Sequence, residues 1–318
     1  MRSATTALMR WRRLPVTFVA GLVMLAGVCS LHGVGVAQTS GGTIPHFNYD
    51  SVEPHNVKHV SVKVRDGVTI EDITYEGSNG DSVPAYLVIP KGTGKFAGVI
   101  WGHWLMPGAA NSNREEFLEE AIALARAGVI SLLVSAPQSR PNFKPGPNPV
   151  LIAQQVVDVR RGLGLLLARP DIDAARVAYV GHSWDAAVGA ILDATDKRIA
   201  GFVFMSGPQS MREYVLSSDS PRLVAARKTA DMAKVEQSLK ATAWADPVSY
   251  ANKLGPAPAP FQYGLHDEDW VPLADAKDYF AMSSGPKTTE FYDADHALNE
   301  KARMDRDGFL RKTLKLVP

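Results

Sequence analysis

The stretch Tyr179–Ala190, YVGHSWDAAVGA, joins an apolar segment to a helix-like segment through a serine. The apolar run 177–180 predicts a strand that is buried on both faces. Ser183 follows that strand closely, and a sharp strand-to-helix turn of this kind presents a serine hydroxyl as a nucleophile. The usual pattern of the turn is G-x-S-x-G, and Asp185 occupies its last position here. The stretch therefore predicts a serine nucleophile on a turn that departs from the usual pattern at one residue.

Strand and helix patterns alternate on both sides of this turn. A capping box, Ser112-x-x-Glu115, predicts the start of the first helix. The predicted strands are 57–65, 68–76, 83–90, 96–101, 129–134, 177–180, 201–205, 256–264 and 288–292, and the predicted helices are 112–127, 154–168, the segment after Ser183, 273–282 and 299–316. The alternation predicts an α/β fold with a mostly parallel sheet and helices on both faces. The first strands have no helices between them and predict an antiparallel edge, in which 57–65 is half-buried.

The segment 211–254 interrupts the alternation. It is helical in pattern and partly polar, and a strand pattern resumes after it. We interpret it as a small helical insertion over the active site at the carboxyl edge of the sheet. The rest of residues 38–318 then forms a single domain, which is a usual size for one large core.

The composition is that of an ordinary globular protein, with 46% hydrophobic residues, 21% charged residues and a formal net charge of +1. A near-neutral chain gives no reason to expect a nucleic-acid partner. The phosphate-loop pattern G-x-x-x-x-G-K-[ST] does not occur, and no cluster of acidic residues and histidines has convincing metal-ligand spacing. We therefore expect no nucleic acid, no metal and no cofactor, while the oligomeric state stays open.

The first forty residues have the pattern of an export signal. Four arginines precede the apolar stretch Leu14–Leu31, and the small residues Gly35-Val36-Ala37 follow it. This pattern predicts a signal peptide over residues 1–37, and a retained membrane anchor is the alternative. Cleavage after Ala37 would leave a secreted or periplasmic protein with no stable membrane insertion. The mature chain would also have no cysteine, because Cys29 lies in the leader.

Three residues with the chemistry of hydrolysis follow apolar strands in the order Ser183, Asp267, His296. The carboxyl ends of parallel strands meet at one edge of a sheet, so we expect these side chains to lie together. A serine hydroxyl needs a base, usually a histidine that a carboxylate orients. The order predicts a catalytic triad, although each residue alone has an ordinary structural explanation. Glu268 and Asp269 leave the identity of the acid open.

Five segments, from about Val68 onward, are similar to those of a known superfamily of proteins. They are VPAYLVIPKG, FAGVIWGHW, RVAYVGHSWDA, QYGLHDEDWVP and DADHALN. In these segments the chain resembles the α/β-hydrolase superfamily, particularly its dienelactone-hydrolase-like and prolyl-oligopeptidase-like serine esterase branch. The resemblance implies that Ser183 is the nucleophile, Asp267 the orienting acid and His296 the base. Dienelactone hydrolase would place cysteine at the nucleophile position, so serine here indicates ordinary ester hydrolysis.

The chain departs from this family beside the expected oxyanion hole. The family commonly has His-Gly after its first central strand, where this chain has His103-Trp104. A backbone N–H remains with any side chain except proline, so we expect the N–H groups of Trp104 and Trp184 to be the two donors. Their indoles would narrow the pocket, unless they only fill the core. We expect the Asp185 carboxylate to accept backbone N–H groups of the first helical turn.

These observations predict a secreted serine hydrolase that cleaves small or medium carboxylic esters through an acyl-enzyme on Ser183. Its partner would be a small-molecule ester. A serine peptidase of prolyl-oligopeptidase type is the nearest alternative, although no extra domain for peptide selection is visible. A catalytically silent scaffold that binds a ligand is the alternative from another class, and the features that favour it are Asp185 and Trp104.

Overall fold

A nine-stranded sheet forms the centre of the part of the chain that the computed structural model describes, residues 45–106, 108–143 and 148–316. The predicted leader and its cleavage site lie outside these residues. The strands are β1 (Lys58–Arg65), β2 (Val68–Glu76), β3 (Ser82–Ile89), β4 (Phe96–Gly102), β5 (Val129–Val134), β6 (Ile172–His182), β7 (Gly201–Met205), β8 (Ala259–Gly264) and β9 (Lys287–Tyr292).

The strand order is β1-β2-β3-β5-β4-β6-β7-β8-β9. The pairs β1–β2, β2–β3 and β3–β5 are antiparallel, and the other five pairs are parallel. The predicted parallel sheet with an antiparallel edge is thus confirmed. All parallel strands end at the same edge of the sheet, which is where such folds place their ligands.

Helices cover both faces of the sheet, as predicted. They are α1 (Leu118–Ala125), α2 (Asn148–Leu167), α3 (Trp184–Thr195), α4 (Met211–Ser217), α5 (Pro221–Arg227), α6 (Met232–Ala241), α7 (Val248–Ala251), α8 (Leu273–Met282) and α9 (Glu300–Thr313). Apolar side chains of α2, α3, α7 and α8 pack in one core cluster, and those of α1 and α9 pack in a second. Strand β6 contributes Val177 and Tyr179 to the first cluster and Ala178 and Val180 to the second. The buried strands are apolar on both sides for this reason.

Three local expectations were wrong. Strand β1 is exposed along its whole length and is not half-buried, because it is the edge strand and no helix covers it. Helix α1 begins at Leu118, after a run of turns, and Ser112 is not its cap, since its Oγ accepts a hydrogen bond from the Met106 N–H at 2.8 Å. Helix α2 begins at Asn148, six residues before the predicted start at Gln154.

The segment between β7 and β8 contains the four helices α4 to α7. It departs from the sheet after β7 and returns at β8, which pairs with β7 in parallel. Within the described residues, no helix is long and apolar enough to cross a membrane.

Candidate active site

Ser183 lies on a tight turn between β6 and α3. Its φ and ψ angles are 54° and −108°, a conformation that L-residues rarely adopt and that stores strain at functional positions. The Ser183 N–H donates to the Met205 carbonyl at 2.8 Å, which ties the turn to β7. A Cβ on Gly181 would lie 2.2 Å from the Asp185 carbonyl oxygen, so only glycine fits there. The geometry is that of a nucleophile turn.

Asp185 is buried in α3 behind this turn. Its Oδ1 accepts hydrogen bonds from Gln155 Nε2 at 3.0 Å and from the Tyr179 hydroxyl at 3.2 Å, while its Oδ2 has no partner within the described part of the chain. The expectation that it accepts backbone N–H groups of the first turn was therefore wrong. Gly102 makes room for the side chain, because a Cβ there would lie 2.5 Å from the Asp185 Cβ. Burial raises the pKa of Asp185 to about 7, although the two hydrogen bonds oppose the rise.

His296 and Asp267 meet at the carboxyl ends of β9 and β8. The His296 Nδ1 lies 2.6 Å from Asp267 Oδ2, and both residues are buried. The other carboxylate oxygen, Oδ1, accepts the Trp270 N–H at 3.2 Å. Burial lowers the pKa of His296, Asp267 raises it, and the neighbouring His182 lowers it further. A carboxylate on Nδ1 leaves Nε2 free to accept a proton.

Asp269 makes no hydrogen bond to the histidine among the described residues. Its backbone carbonyl accepts the Tyr214 hydroxyl at 2.5 Å and the Ser220 hydroxyl at 3.2 Å. The structure therefore brings Asp267 to His296, and it places Asp269 against the helical segment that follows β7.

Ser183 and His296 line the same cavity, which has a volume of about 300 Å³. No hydrogen bond joins their side chains among the described residues. Catalytic hydrogen bonds are often long before substrate binds, so this separation is compatible with a nucleophile and its base. The cavity is of the size that small-molecule sites have.

A second carboxylate and histidine lie behind the first pair. The Glu116 carboxylate contacts His182 Nδ1 in a short hydrogen bond, and His182 Nε2 lies 2.9 Å from the backbone carbonyl oxygen of His296. The Ser206 hydroxyl donates to the same carbonyl at 2.7 Å. Both ring nitrogens of His182 therefore face oxygen atoms, one from the Glu116 side chain and one from the His296 backbone. These contacts hold the backbone of His296 in place.

Trp104 does not have the role that the sequence suggested, that of an oxyanion donor. Its N–H donates to Glu116 Oε2 at 2.7 Å, so the structure does not leave this group free as an oxyanion donor. Its indole stacks on His182, with ring centroids 4.9 Å apart, and is nearly buried. Trp184, by contrast, lines the cavity beside Ser183. Of the two indoles, Trp184 narrows the pocket and Trp104 packs against the histidines.

The helices between β7 and β8 form one wall of the cavity. Met211, Tyr214, Arg222, Leu239 and Asp246 line it together with Ser183. Asp246 is engaged by backbone N–H groups, including that of Arg212 at 3.0 Å. Across the described residues, no group of three or more His, Cys, Asp or Glu side chains is arranged to hold a metal ion.

Sequence reasoning missed three residues of the site. Glu116 lies in a turn that was predicted to be helix, and a lone glutamate carries no signal of its own. His182 stands directly before the serine, which is a position that could have drawn attention to it. Arg222 lies within the segment 211–254, whose packing cannot be worked out from its pattern.

The sheet order, the serine turn and the strand-end histidine and aspartate define the α/β-hydrolase fold, and solved structures agree with this assignment. The acetyl xylan esterase from Paenibacillus sp. R4 matches with a TM-score of 0.67 and 17% identity, over 82% of this chain and 89% of that one. Acetyl xylan esterase 1 from Thermoanaerobacterium sp. JW/SL YS485 matches with a TM-score of 0.67 and 15% identity, over 83% and 89%.

A prolyl endopeptidase structure is similar over a smaller part of its length. It has a TM-score of 0.61 and 15% identity, and the match covers 79% of this chain and 39% of that one. No protein-family model matches the sequence, and no curated protein matches it. Likeness at these identities shows the fold, and the predicted α/β-hydrolase fold is thus confirmed.

Proposed function

We propose that the protein is a serine hydrolase that cleaves carboxylic esters. The observation that carries this proposal is the contact of 2.6 Å between His296 Nδ1 and Asp267 Oδ2, at the wall of a cavity that also contains Ser183. The esterase structures with the same fold support it. Their names describe what those proteins act on, and the similarity suggests a related chemistry here.

In the proposed mechanism, Ser183 Oγ attacks the ester carbonyl while its proton passes to His296 Nε2. The tetrahedral intermediate collapses, the C–O bond to the alcohol breaks, and His296 returns the proton to the leaving oxygen. A water molecule then attacks the acyl-enzyme and gives a proton to His296. The bond between Ser183 Oγ and the acyl carbon breaks, His296 returns the proton to Oγ, and the acid leaves. Asp267 holds the ring in the tautomer that keeps Nε2 free and stabilises the imidazolium ion that forms.

We propose that two backbone N–H groups beside Ser183 are the oxyanion donors. The Trp184 N–H is the first of α3 and has no partner within the helix. Trp104 is engaged by Glu116, so we assign the second donor to the next residue, Leu105, which lines the cavity and whose N–H has no partner among the described residues. Two such donors stabilise the negative oxygen of the intermediate.

A fluorophosphonate probe tests this proposal, because it labels only a serine that a base activates. We expect the wild-type protein to be labelled and the Ser183→Ala variant to remain unlabelled. Hydrolysis of p-nitrophenyl esters of increasing acyl length would then define the acyl preference. Absence of both labelling and ester cleavage in the folded protein would instead favour the silent scaffold, and cleavage of prolyl peptides with no ester cleavage would favour the peptidase.

We also propose that the protein is exported and acts as a secreted or periplasmic enzyme. The basic, apolar and small-residue pattern of residues 1–37 supports this location.

A further inference from the structure

Arg222 extends from α5 to the wall of the active-site cavity. Its guanidinium carbon lies 3.8 Å from the centroid of the Trp270 ring. Trp270 in turn contacts His296, with ring centroids 5.8 Å apart. A single indole therefore separates a fixed positive charge from the residue that we propose as the catalytic base. Tyr214 holds the guanidinium from the other direction, because its hydroxyl accepts from Nη2 at 2.5 Å.

The charge of Arg222 has no counterion among the described residues, since no carboxylate oxygen lies within 4.0 Å of its nitrogens. The partners of Nη2 are neutral oxygens, Nε is buried without a partner, and Nη1 donates to no described residue. Two arginines that are more deeply buried are paired: Arg140 with Asp158 at 2.6 Å and Arg306 with Glu120 at 2.7 Å. A half-buried cation without a counterion is costly, and a bound anion would offset that cost.

The wall of the cavity around Arg222 favours an ion pair with a bound anion. Much of its wall is apolar, including Ile152, Leu239 and Val271, so an ion pair there is less weakened by water than one on the surface. Asp246 is the acidic side chain of the wall, and the N–H groups of Met211 and Arg212 occupy its carboxylate at 3.1 and 3.0 Å. The carboxylate of Asp246 therefore does not neutralise Arg222 by direct contact.

We propose that Arg222 binds the carboxylate of an anionic ester, so that the preferred substrates carry a negative charge in addition to the ester that Ser183 attacks. This inference rests on the proposed function. Arginine suits the role because it stays charged and offers several N–H donors to a carboxylate. The carboxylate belongs either to the acyl part, as in a half-ester of a short dicarboxylic acid, or to the alcohol part, as in an ester of a hydroxy acid.

Two matched pairs of esters distinguish these sources. Monoethyl glutarate and ethyl valerate differ by a carboxylate or a methyl group at the end of the acyl chain. 4-Acetoxybenzoate and p-tolyl acetate differ in the same way on the alcohol side. We expect the wild-type enzyme to have the higher kcat/KM for the anionic member of at least one pair. A preference for the neutral member of both pairs would overturn the inference.

The Arg222→Met variant then tests the residue itself. A charge-assisted hydrogen bond stabilises a complex enough that we expect the ratio of anionic to neutral kcat/KM to fall by about tenfold to a hundredfold. Arg222→Lys should retain part of the ratio. The matched control is Arg212→Met, since Arg212 is exposed on α4 and paired with Glu213 at 3.2 Å. An unchanged ratio in Arg222→Met, or an equal fall in Arg212→Met, would contradict a direct contact.

Binding to the Ser183→Ala protein separates this inference from the proposed chemistry. By calorimetry we expect the anionic ester of the preferred pair to bind more tightly than its neutral partner, with an affinity that falls as salt is added. The added Arg222→Met change should remove the difference. If Ser183→Ala binds the anionic ester in this way but the wild-type protein cleaves no ester, the proposed hydrolase function is refuted and the anion site is supported. Cleavage of neutral esters with no difference in binding would refute the anion site alone.

Discussion

Glu116 and His182 form a buried carboxylate–imidazole pair directly behind the Asp267–His296 pair. The same carboxylate accepts the Trp104 N–H, and the same imidazole contacts the His296 carbonyl. This carboxylate–imidazole contact therefore connects the loop after β4, the serine turn and the histidine loop after β9. The two histidine rings lie 5.4 Å apart between their centroids.

Glu116→Gln tests what this pair contributes. Glutamine has one acceptor oxygen where the carboxylate has two, so one of the two buried contacts, to His182 Nδ1 or to the Trp104 N–H, is lost. We therefore expect the free energy of unfolding to fall by about 1–3 kcal/mol in urea titrations. We also expect kcat to fall about tenfold or more at temperatures where the variant is folded, because a small displacement of His296 weakens catalysis strongly. Glu115→Gln is the control, since Glu115 is exposed and contacts Tyr86 at 3.3 Å. Equal effects in the two variants would argue against a positioning role for Glu116.

Asp267→Asn should lower kcat by about 10³–10⁴, because the amide can no longer hold the reactive tautomer of His296 or stabilise its charged form. Asp269→Asn should have a much smaller effect, since Asp269 engages its neighbours Tyr214 and Ser220 mainly through its backbone carbonyl. Steady-state kinetics with one small neutral ester would measure both. A larger loss in Asp269→Asn would reverse the assignment.

The pH dependence of kcat/KM follows from the environment of His296. The base must be neutral to accept a proton, so activity is lost as the pH falls through its pKa. Burial lowers that pKa below the ordinary value of 6.5, and the midpoint of the acid limb should therefore lie below pH 6.5. In Asp267→Asn the residual activity should have its midpoint at still lower pH, because Asp267 raises the pKa. A midpoint above 6.5 in the wild-type protein would contradict this account.

Asp185 should make stability decrease with rising pH. Its folded-state pKa is raised to about 7 from an ordinary value of 3.8, so the folded protein binds the proton more tightly than the unfolded chain. The stabilisation is complete below the unfolded pKa and is lost as the pH rises towards 7. Between pH 5 and pH 8 this group should cost about 2–3 kcal/mol of unfolding free energy. Urea titrations at both pH values would measure the change.

Asp185→Asn is the matched variant, because it keeps the shape of the side chain and removes the titration. We expect it to lack this part of the pH dependence and to be more stable than the wild type at pH 8. Asp185→Gly restores the usual turn pattern but leaves a cavity and removes the acceptor of Gln155 Nε2, so it should be less stable. Identical pH dependence in the wild type and Asp185→Asn would show that Asp185 is not the group responsible.

Export predicts a defined amino terminus. Protein recovered from the exporting cell should begin at Gln38, because the small residues Gly35 and Ala37 suit a signal peptidase. N-terminal sequencing of the secreted or periplasmic fraction measures this directly, and Ala37→Arg is the variant that should block cleavage. A soluble protein that retains Met1 would exclude the proposed processing.

The strands were predictable because burial on both faces leaves a continuous apolar run in the sequence, as in β4, β5 and β7. The parallel direction of the later strands followed from their alternation with helices. The start of α1 was not predictable, since Ser112 and Glu115 fit a capping pattern but Ser112 hydrogen-bonds to the Met106 N–H instead. A pattern of four residues is too short to reveal a competing partner elsewhere on the loop.

The site was predictable only as far as chain order could indicate it. Ser183, Asp267 and His296 stand at strand ends, and parallel strands bring their ends together. The surroundings of Asp185 were not predictable, because they depend on Gly102 and Gln155, which come from other elements. Trp104 was assigned from its place in a motif, but a distant carboxylate, Glu116, occupies its N–H.

The cavity wall formed by the segment between β7 and β8 has a consequence for how this protein can diverge. Both ends of that segment are fixed by the pairing of β7 with β8, whereas its helices supply Tyr214, Arg222 and Leu239 to the cavity. Ser183 and His296 come from strand ends outside the segment. Mutations in helices α4 to α7 can therefore change which molecules enter the cavity without moving Ser183 or His296. One scaffold could then acquire new ligand preferences by exchanging one continuous stretch, the roughly forty residues of α4 to α7.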